Sequence, residues 1–265
     1  MNFEVRESAD ENGVTISYSV LDGADPAVVL LHGLAGSSRE FFSTARALAG
    51  RKVVLLDLRG HGFSTRLPAD TSREAFVGDV VRVIEAEDLG AVDLVGQSMG
   101  AHTAMLVAAA RPDLVRRLVL LEGNEGGGMG EDHAAMDDYF RSWQLPFASP
   151  EAARSALGDD PLAQAWAADL EERQDGLHPR FDPEVMVAII AEVMEPRWEE
   201  WESVTAPTLA IYAEHGMFTE EQKANFVGRG ANVSRADLPG ASHDAHLDAF
   251  DQWIDILAGF INARS

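Results

Sequence analysis

Cysteine is missing from all 265 residues. That excludes a disulfide framework and any thiolate chemistry. Basic side chains are scarce as well: 21 Lys and Arg stand against 44 Asp and Glu, a formal net charge of −23. A surface of that sign repels nucleic acid and anionic membrane faces, so neither is expected as a partner. No apolar run approaches the length that spans a bilayer. The opening Met1-Asn2-Phe3-Glu4-Val5-Arg6 lacks a basic stretch followed by an apolar core, and so does not read as a signal peptide. A Gly-rich segment, Gly126-Gly127-Gly128-Met129-Gly130, has no Lys-Ser or Lys-Thr behind it, which excludes a phosphate loop. These absences point to a soluble cytoplasmic protein that uses no cofactor. They leave its oligomeric state open.

Apolar residues make up 46% of the chain, enough for an ordinary globular core. The length suits one domain with an insertion. Strands are expected at Val14–Val20, Ala27–Leu31, Val53–Leu56, Val92–Val95, Leu118–Leu121 and Thr208–Tyr212. The first residues, Glu4 to Glu7, cannot be followed as a strand because the pattern fades at Ser8. Helical spacing marks 72–88, the Ala-rich 101–110, and 247–261. Strands alternating with helices imply a largely parallel sheet covered on both faces. The rhythm breaks between about Asn124 and Val204. That stretch opens on the glycines and then reads as helices without a convincing strand, with Met136, Tyr139, Phe140 and Trp143 at helical spacing. The expected division is a core of residues 1–123 and 205–265 and a helical cap of 124–204.

Gly96-Gln97-Ser98-Met99-Gly100 lies between one of these strands and the Ala-rich helix. A Gly-x-Ser-x-Gly in that setting reads as a nucleophile elbow, a turn sharp enough to lift a serine hydroxyl clear of the backbone. Side chains two residues to either side would collide as strand and helix close together, and glycine removes the clash. Three other segments accompany it: Leu31-His32-Gly33-Leu34-Ala35-Gly36-Ser37-Ser38, Asp57-Leu58-Arg59-Gly60-His61-Gly62-Phe63-Ser64 and Leu238-Pro239-Gly240-Ala241-Ser242-His243-Asp244. In this order and spacing they resemble the α/β-hydrolase family over nearly the whole chain.

The resemblance implies a mostly parallel, doubly covered α/β-hydrolase sheet with an inserted helical cap, Ser98 as nucleophile and His243 as its base. The amides of Met99 and Leu34 would form the oxyanion hole. The acid departs from the commonest pattern: Gly216 stands where an aspartate is expected after the strand Thr208–Tyr212. Glu122, at the end of the preceding core strand, is the favoured substitute and Glu214 the alternative. His102 reads as a helix-face residue and His246 as packing. The pair His243 and His246 lacks a third ligand for a metal. Asp57 and Arg59 either organise the loop beside the site or, the favoured reading, belong to a linking turn with internal hydrogen bonds. Phe41, Met129, Phe140 and Trp143 are the candidates for a largely apolar substrate pocket. A serine nucleophile implies acyl transfer to water from an ester, lactone or thioester. Cleavage of an activated carbon–carbon bond, or a non-hydrolytic ligand-binding protein on this fold, are the alternatives.

Overall fold

The computed structural model describes residues 2–127, 135 and 138–263. Its strands are β1 (Glu4–Ala9), β2 (Thr15–Leu21), β3 (Ala24–Leu31), β4 (Arg51–Leu56), β5 (Val92–Gln97), β6 (Val115–Leu121), β7 (Glu171–Arg173), β8 (Gly176–His178), β9 (Thr208–His215) and β10 (Val233–Ser242). Eight of them form one sheet in the order β1-β2-β4-β3-β5-β6-β9-β10. β2 pairs antiparallel with both β1 and β4, and all other pairs are parallel.

The interior strands are near-continuous apolar runs because both of their faces are covered. Alternate residues go to opposite layers. Val29, Leu31, Leu94 and Leu120 pack with Phe76, Val80 and Met105 from the helices Arg73–Ala86 and Met99–Ala110. Val28, Leu30, Val95 and Leu121 pack on the other face with Trp253, Leu257 and Ile261 from the helix Phe250–Ile261. Ser72 starts the first of these helices by accepting a hydrogen bond from the Ala75 amide. No helix among the described residues is long and apolar enough to cross a membrane.

Three expectations are corrected. Residues 4–9 do form a strand, registered residue for residue against β2 from Glu4↔Val20 to Ala9↔Thr15. It is an edge strand with mostly polar side chains, so backbone hydrogen bonds hold it where no apolar pattern could signal it. The stretch between β6 and β9 contains a small hairpin, β7 and β8, closed by the turn at Gln174-Asp175. Strands of three residues are too short to show a period. The final helix begins at Phe250, after a separate short helix Ala245–Asp248 and a break at Ala249.

The same stretch carries the helices Pro150–Leu157, Pro161–Ala168 and Pro183–Val193. Each has proline in its first turn and a preceding Ser149, Asp160 or Asp182 whose side chain accepts an amide hydrogen bond. It docks on the core through Phe140, Phe181, Met186 and Ile189, which join the core cluster. The ion pairs Arg39–Asp169 (3.0 Å) and Arg66–Glu171 (2.6 Å) fasten its edge.

Candidate active site

β5 ends at Gln97, and the helix Met99–Ala110 leaves immediately, so Ser98 occupies the turn alone. It sits at φ 52°, ψ −119°, a conformation nearly closed to residues with a Cβ. The Ser98 amide donates to the Leu121 carbonyl (2.9 Å), and the His102 amide donates to the Ser98 carbonyl (3.0 Å). The flanking glycines are there for room: a Cβ on Gly96 would lie 2.2 Å from the Gly100 carbonyl oxygen, and one on Gly100 2.4 Å from that of Leu31. Four described non-glycine residues have positive φ: Ala35, Asp88, Ser98 and Glu122. Asp88 lies just past the end of a helix. The other three fall on the candidate oxyanion loop, the candidate nucleophile and the candidate acid. Strain of roughly 1–3 kcal/mol per residue persists only where surrounding structure enforces it, and it concentrates at functional sites.

Glu122 lies just past β6, and it is 1% exposed. Its Oε1 accepts the Ala213 amide (2.8 Å), and its Oε2 accepts the Met217 amide (2.9 Å). Oε2 also lies 3.1 Å from His243 Nδ1. A carboxylate only accepts, so Nδ1 carries the proton and Nε2 is left with its lone pair. The structure also accounts for Gly216. A Cβ there would stand 2.3 Å from both Glu122 carboxylate oxygens. The Glu122 carboxylate therefore fills the space a side chain at 216 would need. Glu214 is exposed and instead accepts the Gly240 amide (2.7 Å).

Among the described residues neither the Met99 nor the Leu34 amide has an acceptor. The loop carrying Leu34 is held by two buried histidines the sequence reading had passed over. His32 Nε2 accepts the Leu58 amide (3.0 Å), so its Nδ1 donates to the Gly33 carbonyl (2.7 Å). His61 Nε2 accepts the Ala35 amide (3.0 Å), and its Nδ1 donates to the Arg59 carbonyl (2.9 Å). Each bond pattern requires a neutral ring with the proton on Nδ1. Asp57 adds two more ties, accepting the amides of Ser38 (2.8 Å) and Phe63 (2.9 Å). Arg59 pairs with buried Asp79 (2.6 Å). The paired Gly-His-Gly and His-Gly spacings were the signal for this network, but only the fold puts the two loops side by side.

Gln97 was also missed. It is buried, and its Nε2 donates to the His243 carbonyl (3.2 Å), while a Cβ on Gly33 would meet its Oε1 at 2.3 Å. It thus touches both the oxyanion loop and the histidine loop.

Phe41 is corrected from pocket to core. It is 1% exposed, packs in the cluster on the Trp253 face, and stacks on the buried His246 ring at 4.5 Å. Phe140, 2% exposed and part of the core cluster, is likewise corrected from pocket to core; with Trp143, Tyr139 and Phe181 it forms an aromatic group with centroid separations of 5.5–5.7 Å. Met129 lies outside the described residues, as does Met136. His102 is buried in the elbow helix. No group of three or more metal-ligating side chains occurs among the described residues.

Burial pushes His61 well below the ordinary histidine value, His102 down to about 3 and His246 down to about 4. A histidine whose pKa is lowered on folding stabilises the fold above its unfolded value of 6.5 and loses that contribution as pH falls toward the folded value. Glu40, buried beneath the oxyanion loop and pushed up to about 7, acts oppositely: its contribution is lost as pH rises through that value. In a native-state NMR titration the Cε1–H signals of His61 and His102 are expected to stay flat between about pH 8 and about pH 5. Titration of either of them near 6.5 would mean that its ring is open to water.

The sequence matches the alpha/beta hydrolase fold family over residues 26–250. The mouse (Mus musculus) sn-1-specific diacylglycerol lipase ABHD11 is 29% identical over 272 residues, covering 97% of this chain and 88% of that protein. Among solved structures, E-2-(acetamidomethylene)succinate hydrolase superposes with a TM-score of 0.90 at 21% identity, over 99% of this chain and 100% of that one. The enol-lactonase from Burkholderia xenovorans LB400 does so with a TM-score of 0.79 at 20% identity, over 97% and 100%. At such identities the two structures speak to the fold alone. The match across most of the chain means that it belongs to the alpha/beta-hydrolase family and is an enzyme of the hydrolase class.

Proposed function

We propose that this hydrolase is a serine enzyme cleaving a carboxylic ester, lactone or related acyl bond of a largely apolar small molecule, with Ser98, His243 and Glu122 as its triad. One observation carries this reading. The Glu122 carboxylate, fixed by two backbone amides, faces His243 Nδ1 at 3.1 Å in the space left by Gly216. The reading as a non-hydrolytic binding protein, which rested on the missing aspartate, loses its ground once an acid occupies that volume.

The chemistry follows from the proton inventory. With Nδ1–H directed at Glu122, His243 Nε2 takes the Ser98 proton as the hydroxyl oxygen attacks the acyl carbon. The carbonyl oxygen becomes an oxyanion, for which the free amides of Met99 and Leu34 are the donors. Collapse expels the alcohol, which takes the proton from His243. Water then repeats the sequence on the acyl-enzyme and releases the acid. Glu122 stays ionised throughout and stabilises the imidazolium.

Trp143, half-buried and packed edge-on against the buried Phe140, supports a cap role for residues 124–204, setting which acyl group fits. The name of the mouse relative, a diacylglycerol lipase, favours esters. The test is rapid labelling of Ser98 by a fluorophosphonate probe, together with an ester and lactone panel. Trp143→Ala should change the kcat/KM ratio between short and long acyl chains by about tenfold while leaving the labelling rate nearly unchanged. Equal loss on every substrate would make Trp143 a packing residue only, and absent labelling of folded protein would sink the serine mechanism.

A further inference from the structure

Three arginines are buried among the described residues: Arg59, Arg73 and Arg117. Arg59 pairs with the Asp79 carboxylate, and Arg117 donates to the carbonyls of Ile261 and Ala263. Arg73, 1% exposed, has neither kind of partner. Its Nη2 donates to the Thr103 hydroxyl, while Nε and Nη1 are buried without any acceptor. The guanidinium otherwise lies over the Phe76 ring, 4.4 Å from its centre. Burial pushes it down to about 9, which still leaves it charged at neutral pH. A buried cation with no carboxylate paired to it is costly, and its persistence calls for a physical reason.

The reason lies in what Thr103 touches. Its hydroxyl has one proton, which it donates to the Met99 carbonyl (2.9 Å), so its lone pair is what accepts from Arg73. The guanidinium is thus two hydrogen bonds from the first turn of the elbow helix, the turn that also presents the free Met99 amide. A helix N-terminus already carries partial positive charge, and a cation beside it is unfavourable until negative charge arrives there. Neighbouring His102 is held neutral by its burial, so it offers Arg73 no counter-charge. The charged groups whose fields reach Arg73 are Glu74, Glu192 and Arg197, none of them paired with it.

We propose that Arg73 is a positioning residue which, held by Thr103 against the first turn of the elbow helix, favours the negatively charged tetrahedral intermediate formed at Ser98. This rests on the serine-hydrolase reading above. The test compares Arg73→Met, Arg73→Lys and Thr103→Val with wild type for kcat, KM and affinity for an alkyl boronic acid, whose adduct with Ser98 is tetrahedral and anionic. Arg73→Met is expected to lower both kcat and boronate affinity by roughly 10- to 30-fold, with KM changed less than about twofold. Arg73→Lys should recover most of the loss, and Thr103→Val should fall between. A folded Arg73→Met with unchanged kcat and boronate affinity, or a Lys variant no better than Met, overturns the proposal, because packing alone would then explain the residue. If Arg73→Met does not fold, Thr103→Val with wild-type kcat and boronate affinity overturns it equally. Failure of the underlying reading shows separately, as full activity in Ser98→Ala.

Discussion

Ser98→Ala is expected to reduce kcat by about 10⁶-fold while leaving the fold and Tm nearly unchanged. His243→Ala should cost about as much, and the double variant little more than either single one, because nucleophile and base act as a unit. The structural basis is specific. Ser98 is held at a strained φ of 52° by the amide bonds to Leu121 and from His102, and those bonds survive loss of the hydroxyl. Stopped-flow acylation and circular dichroism of the three variants check both halves. Losses that multiply in the double variant would show that the two side chains do not cooperate. His102→Ala separates the histidines. Its ring is buried in the elbow helix and kept neutral, so its removal should lower stability but not abolish turnover.

Glu122→Gln is expected to lower kcat by roughly 10³- to 10⁴-fold, since an amide can impose the wrong imidazole tautomer and takes away the charge that stabilises imidazolium. Glu214→Gln should cost little, because that carboxylate is exposed and holds the Gly240 amide. Gly216 supplies a paired test. Its backbone is not in the left-handed region; what excludes a side chain there is the Glu122 carboxylate, 2.3 Å from the position of a Cβ. Gly216→Asp should therefore inactivate by displacing Glu122. Adding Glu122→Gly should restore activity at least about tenfold over Gly216→Asp alone, by handing the role to an aspartate in the vacated volume. If Glu214→Gln proves the crippling change and Glu122→Gln is mild, the acid lies on β9 and the assignment fails.

Much of this protein was legible as local pattern. The elbow at Ser98 could be read because its constraint is local: two glycines at fixed offsets between an apolar run and a helix. The buried strands β3 to β6 showed as apolar runs because burial on both faces removes polar residues from them. The family resemblance, and with it the doubly covered sheet, followed from four such segments in order. Tertiary structure alone decided the rest, because those features depend on residues far apart in sequence. β1 is carried by hydrogen bonds to β2 and by no pattern of its own. Phe41 looked like a pocket residue from its place after the oxyanion loop, yet the turn of the chain sends it into the core against His246. The family resemblance favours Glu122 over Glu214 as the acid, but no local spacing places either carboxylate. Which carboxylate lies beside His243 depends on the parallel pairing of β6 with β9, which brings Glu122 there from 121 residues away in the chain.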